Sequence, residues 1–102
     1  MSHRSEDYEL SARARLDYED ILLYSLLTFG EHQMRKYEAT LESGLRYLAR
    51  HPFGGQLCPE HGPGVRRHLI GHHFAYYRVK GDSVVVARLL HERRDPAGLI
   101  DN

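Results

Sequence analysis

Five side chains able to bind a transition metal, Cys58, His61, His68, His72 and His73, fall within sixteen residues. Cys58 and His61 have the Cys-x-x-His spacing of half a zinc site. The other half is wanting. His72 and His73 are adjacent and point to opposite faces of a strand, and His68 and His72, four apart, sit about 13 Å from one another in extended chain. These histidines read as strand and loop residues that pair, cap or face solvent, and neither a metal nor a cofactor is expected. Cys58 stands between Leu57 and Pro59 in a glycine–proline loop with no base fixed beside it by spacing. The chain has no Gly-x-Ser-x-Gly elbow, no phosphate-cradling loop and no Gly-x-Gly-x-x-Gly turn. Its carboxylates gather in the N-terminal half, where solvation accounts for them.

The basic residues say more. Lys and Arg divide evenly between residues 1–50 and 51–102, but acids divide nine to five, so the first half is net −2 and the second +2. Over residues 65–94 there are seven basic residues against two acidic ones. The segment reads either as a solvated sheet edge guarded by charge against aggregation or as a positive surface for an acidic segment or a nucleic-acid phosphate. On the second reading Arg88, His91, Arg93 and Arg94 near the end of the chain are the candidate contacts to a macromolecular target. Arg66, Tyr77 and Arg78 are candidate contacts or supports, with Tyr77 the one best explained as core. Such a set could also perform acid–base RNA cleavage, His91 moving a proton and arginines stabilising phosphate charge, with Phe74 or Tyr76 stacking on a base. The chain as a whole balances 14 basic with 14 acidic residues, which argues against a strong direct grip on nucleic acid.

The elements that must position these residues follow from periodicity. Residues 6–10 form a short strand. Ser11 is an N-cap, and a helix runs from Ala12 to Phe29 with Gly30 as its stop. Leu16, Leu23 and Leu27, flanked by Ile21, Tyr24 and Leu26, form a wide apolar stripe, so this helix is expected to be buried on more than one side. A second helix starts at Glu31 and repeats Tyr37, Leu41, Leu45 and Leu48 until His51-Pro52 ends it, while Arg35, Lys36, Glu38 and Glu42 face water. With only Gly30 between them, the helices make an antiparallel hairpin. Residues 52–64 are a loop, followed by strands Val65–Ile70, His73–Val79 and Ser83–His91, the last two joined at Gly81-Asp82. That turn pairs Lys80 with Ser83, Val79 with Val84 and Tyr77 with Val86. Strict alternation then puts Ala75, Tyr77, Val79, Val84, Val86 and Leu90 toward the helices, and Phe74, Tyr76, Arg78, Val85, Ala87, Leu89 and His91 on an uncovered outer face. Arg88 falls on the helix side and needs a carboxylate, from Asp17 or Asp20. Residues 92–102 are a polar tail.

Composition bounds the rest. At 102 residues, with 41% hydrophobic and 27% charged, the chain is one globular domain over 1–102, its core about 6–95. No apolar run approaches the roughly 18 residues needed to span a bilayer, and Met1–Glu9 is too polar for a secretory signal. A single cysteine suits a reducing compartment, hence a cytoplasmic expectation.

The order strand, helix hairpin, glycine–proline loop and three-stranded meander resembles the RelE/ParE superfamily of small bacterial toxins, with motifs near those of its ParE branch. The matching residues are Leu10-Ser11; Phe29-Gly30 with Gln33 and Tyr37; Leu48-Ala49 with Pro52 and Gly55; Pro63-Gly64-Val65-Arg66; His73; Tyr77-Arg78-Val79; and Arg88, Leu90-His91, Arg93 and Asp95. The sequence departs from the pattern at Phe29, where Trp is common, at Gln56, where Arg is usual, and at Val65, where a larger residue stands. The resemblance covers about residues 8–96. It implies an α+β fold, a short N-terminal strand and an antiparallel helix hairpin packed on a small, mainly antiparallel sheet (β-α-α-β-β-β). It further implies a type II toxin acting on DNA gyrase without catalysis, neutralised by an antitoxin with an acidic C-terminal segment in a hetero-oligomer. The alternatives are a RelE-like, ribosome-dependent mRNA endonuclease using His91, Arg78 and Arg88, or a degenerate toxin that only binds antitoxin.

Overall fold

A computed structural model describes residues 8–100. The element order is β1 (Tyr8–Leu10), α1 (Ala12–Phe29), α2 (Glu31–Arg50), β2 (Gln56–Leu57), β3 (Arg66–Ile70), β4 (His73–Lys80) and β5 (Ser83–His91), with a short 3-10 turn at Pro59–His61 between β2 and β3. Glu6 and Asp7, expected to begin the first strand, lie outside the described residues. The five strands form one sheet in the order β1-β5-β4-β3-β2, antiparallel except where β1 runs parallel to β5. This is the α+β architecture expected, with one addition. The segment expected to be pure loop contains β2, which lies along β3 through Gln56↔Arg67 and Leu57↔Arg66.

The helix ends follow the local chemistry. The Ser11 side chain accepts the Ala14 N–H at 3.0 Å, and the Gly30 N–H donates to Leu26 O at 3.0 Å. Gly30 takes φ +93°, open to glycine and costly for other residues, and so lets α2 start at once. In α2 the expected stripe is the buried one: Leu41, Leu45 and Leu48 are fully enclosed and Tyr37 packs beside them.

α1 differs from expectation. Its inward line is Ala14, Tyr18, Ile21 and Ser25, with Leu22 beside it. Leu16, Leu23 and Leu27 point to water and are 54%, 53% and 76% exposed. Leucines outnumber the small residues in the sequence, but the close approach of α1 to the sheet and to α2 selects the line with Ala14 and Ser25.

The β4–β5 register begins as read from the turn, Lys80↔Ser83, Val79↔Val84 and Tyr77↔Val86, and then slips at a bulge between Tyr76 and Tyr77, giving Tyr76↔Arg88 and Phe74↔Leu90. One extra residue on β5, Ala87, exchanges the faces of the residues after it. Leu89 therefore joins the helix-side core with Ala75, Tyr77, Val84 and Val86, and Leu90 joins the other side. The outer face is not open, as expected, but forms a second small core. Cys58, Val65, Tyr76, Leu90 and Ile100 are buried together, with Phe74, Ala87 and Leu99 against them. The segment read as a polar tail thus folds back as far as it is described, and its two largest apolar residues, Leu99 and Ile100, cover the sheet.

Candidate functional site

The open edge of β5 organises the cationic end of the molecule. β1 pairs with β5 only as far as Leu10↔Val86. Beyond it the N-cap Ser11 and Asp17 of α1 supply the missing partners: the Ser11 N–H donates to Val86 O at 2.9 Å, the Ser11 hydroxyl donates to Ala87 O at 2.9 Å, and Asp17 Oδ2 accepts the Leu89 N–H at 2.9 Å. Asp17 also takes a two-pronged hydrogen bond from Arg88, Nε to Oδ2 at 2.8 Å and Nη2 to Oδ1 at 3.0 Å. The third arm, Arg88 Nη1, donates to Leu99 O at 3.0 Å. At 7% exposure, Arg88 ties α1, β5 and the C-terminal turn together.

His91, Arg93 and Arg94 follow directly. All three are exposed, in the turn where the Arg94 N–H donates to His91 O at 2.8 Å and the Arg93 N–H to His91 Nδ1 at 3.1 Å. The structure brings the β3–β4 turn to the same place. Imidazoles of His73 and His91 meet edge to face at 5.3 Å, and those of His72 and His91 are near-parallel at 6.5 Å. Glu92 Oε2 lies 3.1 Å from His72 Nδ1. Beneath them Tyr37 of α2 accepts the His72 N–H at 2.9 Å and lies 2.6 Å from His73 Nδ1. Burial, then the neighbouring His91 and His72, push the His73 pKa down to about 4. His73 is therefore held neutral near pH 7, hydrogen-bonded through Nδ1 to the Tyr37 hydroxyl, which also reaches Ile70 O at 3.4 Å. Sequence reading missed this Tyr37–His73 link because the two lie 36 residues apart, although both belong to motifs it had singled out.

Arg66, Tyr77 and Arg78 sit elsewhere, under the glycine–proline loop. The Tyr77 hydroxyl donates to Pro52 O and accepts the Gly55 N–H, both at 2.9 Å, from a fully buried ring. Arg66 Nη1 donates to Phe53 O and Gly55 O at 3.2 and 2.8 Å, and its guanidinium lies over the Phe53 ring. Arg78 Nε donates to Pro63 O at 3.1 Å. A Cβ at Gly55 would run into the Tyr77 hydroxyl and Arg67 O, so glycine lets the loop come this close. Gln56, a departure from the family pattern, accepts from Arg67 Nε at 3.2 Å, where an arginine would meet a like charge.

The metal candidates are dispersed. Cys58 is buried and burial raises its thiol pKa; His68 stacks on Tyr47 and is pushed down by burial; His61 sits against Tyr76 and Glu60. Among the described residues no three or more metal-ligating side chains could share an ion. No helix of the described residues is long and apolar enough to cross a membrane.

Comparison with known proteins adds to this geometry. A family model described as the ParE toxin of type II toxin–antitoxin systems, parDE, matches residues 8–96. Toxin ParE1 of Caulobacter vibrioides is 38% identical over 85 residues, 83% of this chain and 88% of that protein. Toxin ParE1 of Mycobacterium tuberculosis is 34% identical over 92 residues, 89% of this chain and 94% of that protein. A solved structure described as the chromosomal ParDE TA system from P. aeruginosa superimposes with a TM-score of 0.72, covering 86% of this chain and 97% of that one. At 20% identity, that last likeness speaks for the fold.

Proposed function

From the premise that the chain belongs to the ParE toxin family of type II toxin–antitoxin systems, we propose that it arrests growth by binding DNA gyrase. On this reading it stabilises the cleaved-DNA complex, blocks replication, and is neutralised by the antitoxin of its own parDE pair. It acts by binding rather than by catalysis. The observation that supports this over mRNA cleavage is the state of Arg88. An arginine needed to stabilise phosphate charge must face its substrate, whereas this one is enclosed and spent on Asp17 and Leu99. The contacts to gyrase are His91, Arg93 and Arg94, displayed on a turn that Arg88 holds in position.

Induction without the antitoxin, with growth, plasmid supercoiling and mRNA integrity followed together, tests the reading. The expected result is growth arrest with gyrase-dependent DNA damage and intact mRNA. Arg93→Glu with Arg94→Glu should abolish arrest without lowering the melting temperature. One observation favours the endonuclease alternative, the imidazoles of His73 and His91 5.3 Å apart beside Tyr37. Cleaved mRNA with undisturbed supercoiling, abolished by His91→Ala, would replace gyrase with the ribosome as target. Normal growth on induction would mark a degenerate toxin.

A further inference from the structure

We propose that Tyr37 is a positioning residue for gyrase binding: its hydroxyl fixes the β3–β4 turn, and that turn holds the exposed residues 91–94 in place. This rests on the gyrase reading above and names what sets the geometry of its contact residues. Those contacts lie past the end of the sheet. His73↔His91 is the last pair of the β4–β5 ladder, and Glu92, Arg93 and Arg94 lie beyond it. A contact turn left loose would have to be ordered on binding, with a loss of affinity. What holds this one is a chain of hydrogen bonds that starts in the other layer of the molecule, on α2.

Tyr37 stands in the inward stripe of α2 and packs against the helix-side core. Its hydroxyl accepts the His72 N–H at 2.9 Å, lies 2.6 Å from His73 Nδ1 and reaches Ile70 O at 3.4 Å. One oxygen thus meets Ile70, His72 and His73. Between them Gly71 takes φ +61°, and a Cβ there would come within 2.8 Å of the Tyr37 ring and hydroxyl, so a larger residue would push the turn off the tyrosine. The His72 imidazole lies near-parallel to the Tyr37 ring at 6.5 Å. The turn passes its position on. His72 O accepts the Glu92 N–H at 2.8 Å, and Glu92 Oε2 lies 3.1 Å from His72 Nδ1, so backbone and side chain both tie the two residues. His91 then receives the Arg93 N–H at Nδ1 and the Arg94 N–H at its carbonyl. Each step from α2 to Arg94 is a hydrogen bond or a peptide bond.

Two features separate positioning from plain packing. The first is the hydroxyl itself. The ring fills the place in the core, and a phenylalanine would fill it as well; the oxygen serves the turn, whose His72 side chain is 72% exposed and has little packing of its own to fix it. The second is Glu92, the one acid in residues 88–94. On charge alone, a carboxylate among these cations weakens their pull on an acidic target. Through its contact with His72 it has the opposite effect, because it fixes where Arg93 and Arg94 point. The two effects carry opposite signs, and removing the carboxylate tells them apart.

Calorimetric titration of the full chain against DNA-bound gyrase tests the brace, beside melting curves and amide hydrogen exchange of the free chain. Tyr37→Phe should fold, weaken gyrase binding by about 5-fold, and speed exchange of the His72, Glu92 and Arg94 amides while the β4–β5 ladder stays protected. Arg93→Ala with Arg94→Ala should weaken binding by about 10- to 100-fold. Adding Tyr37→Phe to that pair should weaken it by less than about 2-fold more, because most of what the tyrosine positions is already gone. Glu92→Ala, at an exposed site, should weaken binding by about 3-fold, whereas charge alone would tighten it. Unchanged affinity in Tyr37→Phe, its full loss repeated in the arginine-less background, or tighter binding by Glu92→Ala would overturn the brace while sparing the gyrase reading. No binding by the wild-type chain would overturn both. If Tyr37→Phe does not fold, the sign of the Glu92→Ala effect decides alone.

Discussion

Asp17 serves three donors, the Arg88 Nε and Nη2 and the Leu89 N–H, with side-chain exposures of 14% for the aspartate and 8% for the arginine. Removing one member of such a pair leaves the other charge enclosed without its counter-ion. Asp17→Ala is therefore expected to cost about 3–5 kcal/mol of folding stability by urea denaturation. Arg88→Lys keeps the charge but loses the two-pronged geometry, and should fall between wild type and Asp17→Ala. Tyr77→Phe removes the hydroxyl between Pro52 O and the Gly55 N–H and should cost about 1–3 kcal/mol, loosening the loop first. His73 gives the pH dependence. Its folded pKa, about 4, lies below the ordinary 6.5, so between those values the unfolded chain binds the proton and the folded chain does not. Stability should be fully present above pH 6.5 and fall as pH drops toward 4. His73→Gln should flatten that slope in melting curves taken across the window. At this scale the sequence named the right partner for Arg88, Asp17, but from a register that the bulge overturns. Arg88, expected on the helix side, instead lies opposite Tyr76 of the second core and reaches Asp17 at the edge of β5. It was silent on the hydrogen bond between Tyr37 and His73, because no local pattern relates them.

At the scale of elements, periodicity was reliable wherever one side of a helix or strand is buried and the other wet. α2 is such a case, and its Leu41, Leu45 and Leu48 stripe was legible. α1 was not, because it has apolar residues on both sides, and only the distance to α2 and to the sheet decides which line goes inward. The turn at Gly81-Asp82 gave the correct pairs as far as Tyr77↔Val86, after which the bulge reversed Leu89 and Leu90. Alternation cannot foresee an inserted residue, since a bulge depends on how β5 leaves β1 and meets Asp17. Close packing at this scale can be tested at Gly44, where an added Cβ would run into the Ile70 side chain across the α2–β3 contact. Gly44→Ala should lower stability by about 1–3 kcal/mol despite the better helix propensity of alanine, and the sign in a melting experiment separates the two effects.

The whole molecule is two cores on one sheet, a larger one under the helix hairpin and a smaller one under the 58–65 segment and the C-terminal turn. The smaller core depends on Leu99 and Ile100. A chain ending at Asp95 should keep its helices but expose Tyr76, Phe74 and Leu90, with a lower melting temperature and new binding of a hydrophobic dye. It should also free the Arg88 arm now held by Leu99 O. With the outer face partly covered, most of the exposed large apolar residues lie on α1, while Leu57 of β2 and Leu69 of β3 stay exposed on the sheet. The sequence by itself determined the order of elements, the α2 stripe, the capped helix ends, the cationic C-terminal half and the family pattern, since each rests on neighbours along the chain or on charge that needs no contact to exist. Only the tertiary structure decided which side of α1 is wet, where β5 bulges, that the tail closes the second face, and that Arg88 is enclosed while His91, Arg93 and Arg94 are displayed. Those outcomes turn on free-energy differences between surfaces distant in sequence, which become comparable only once the sheet brings them together.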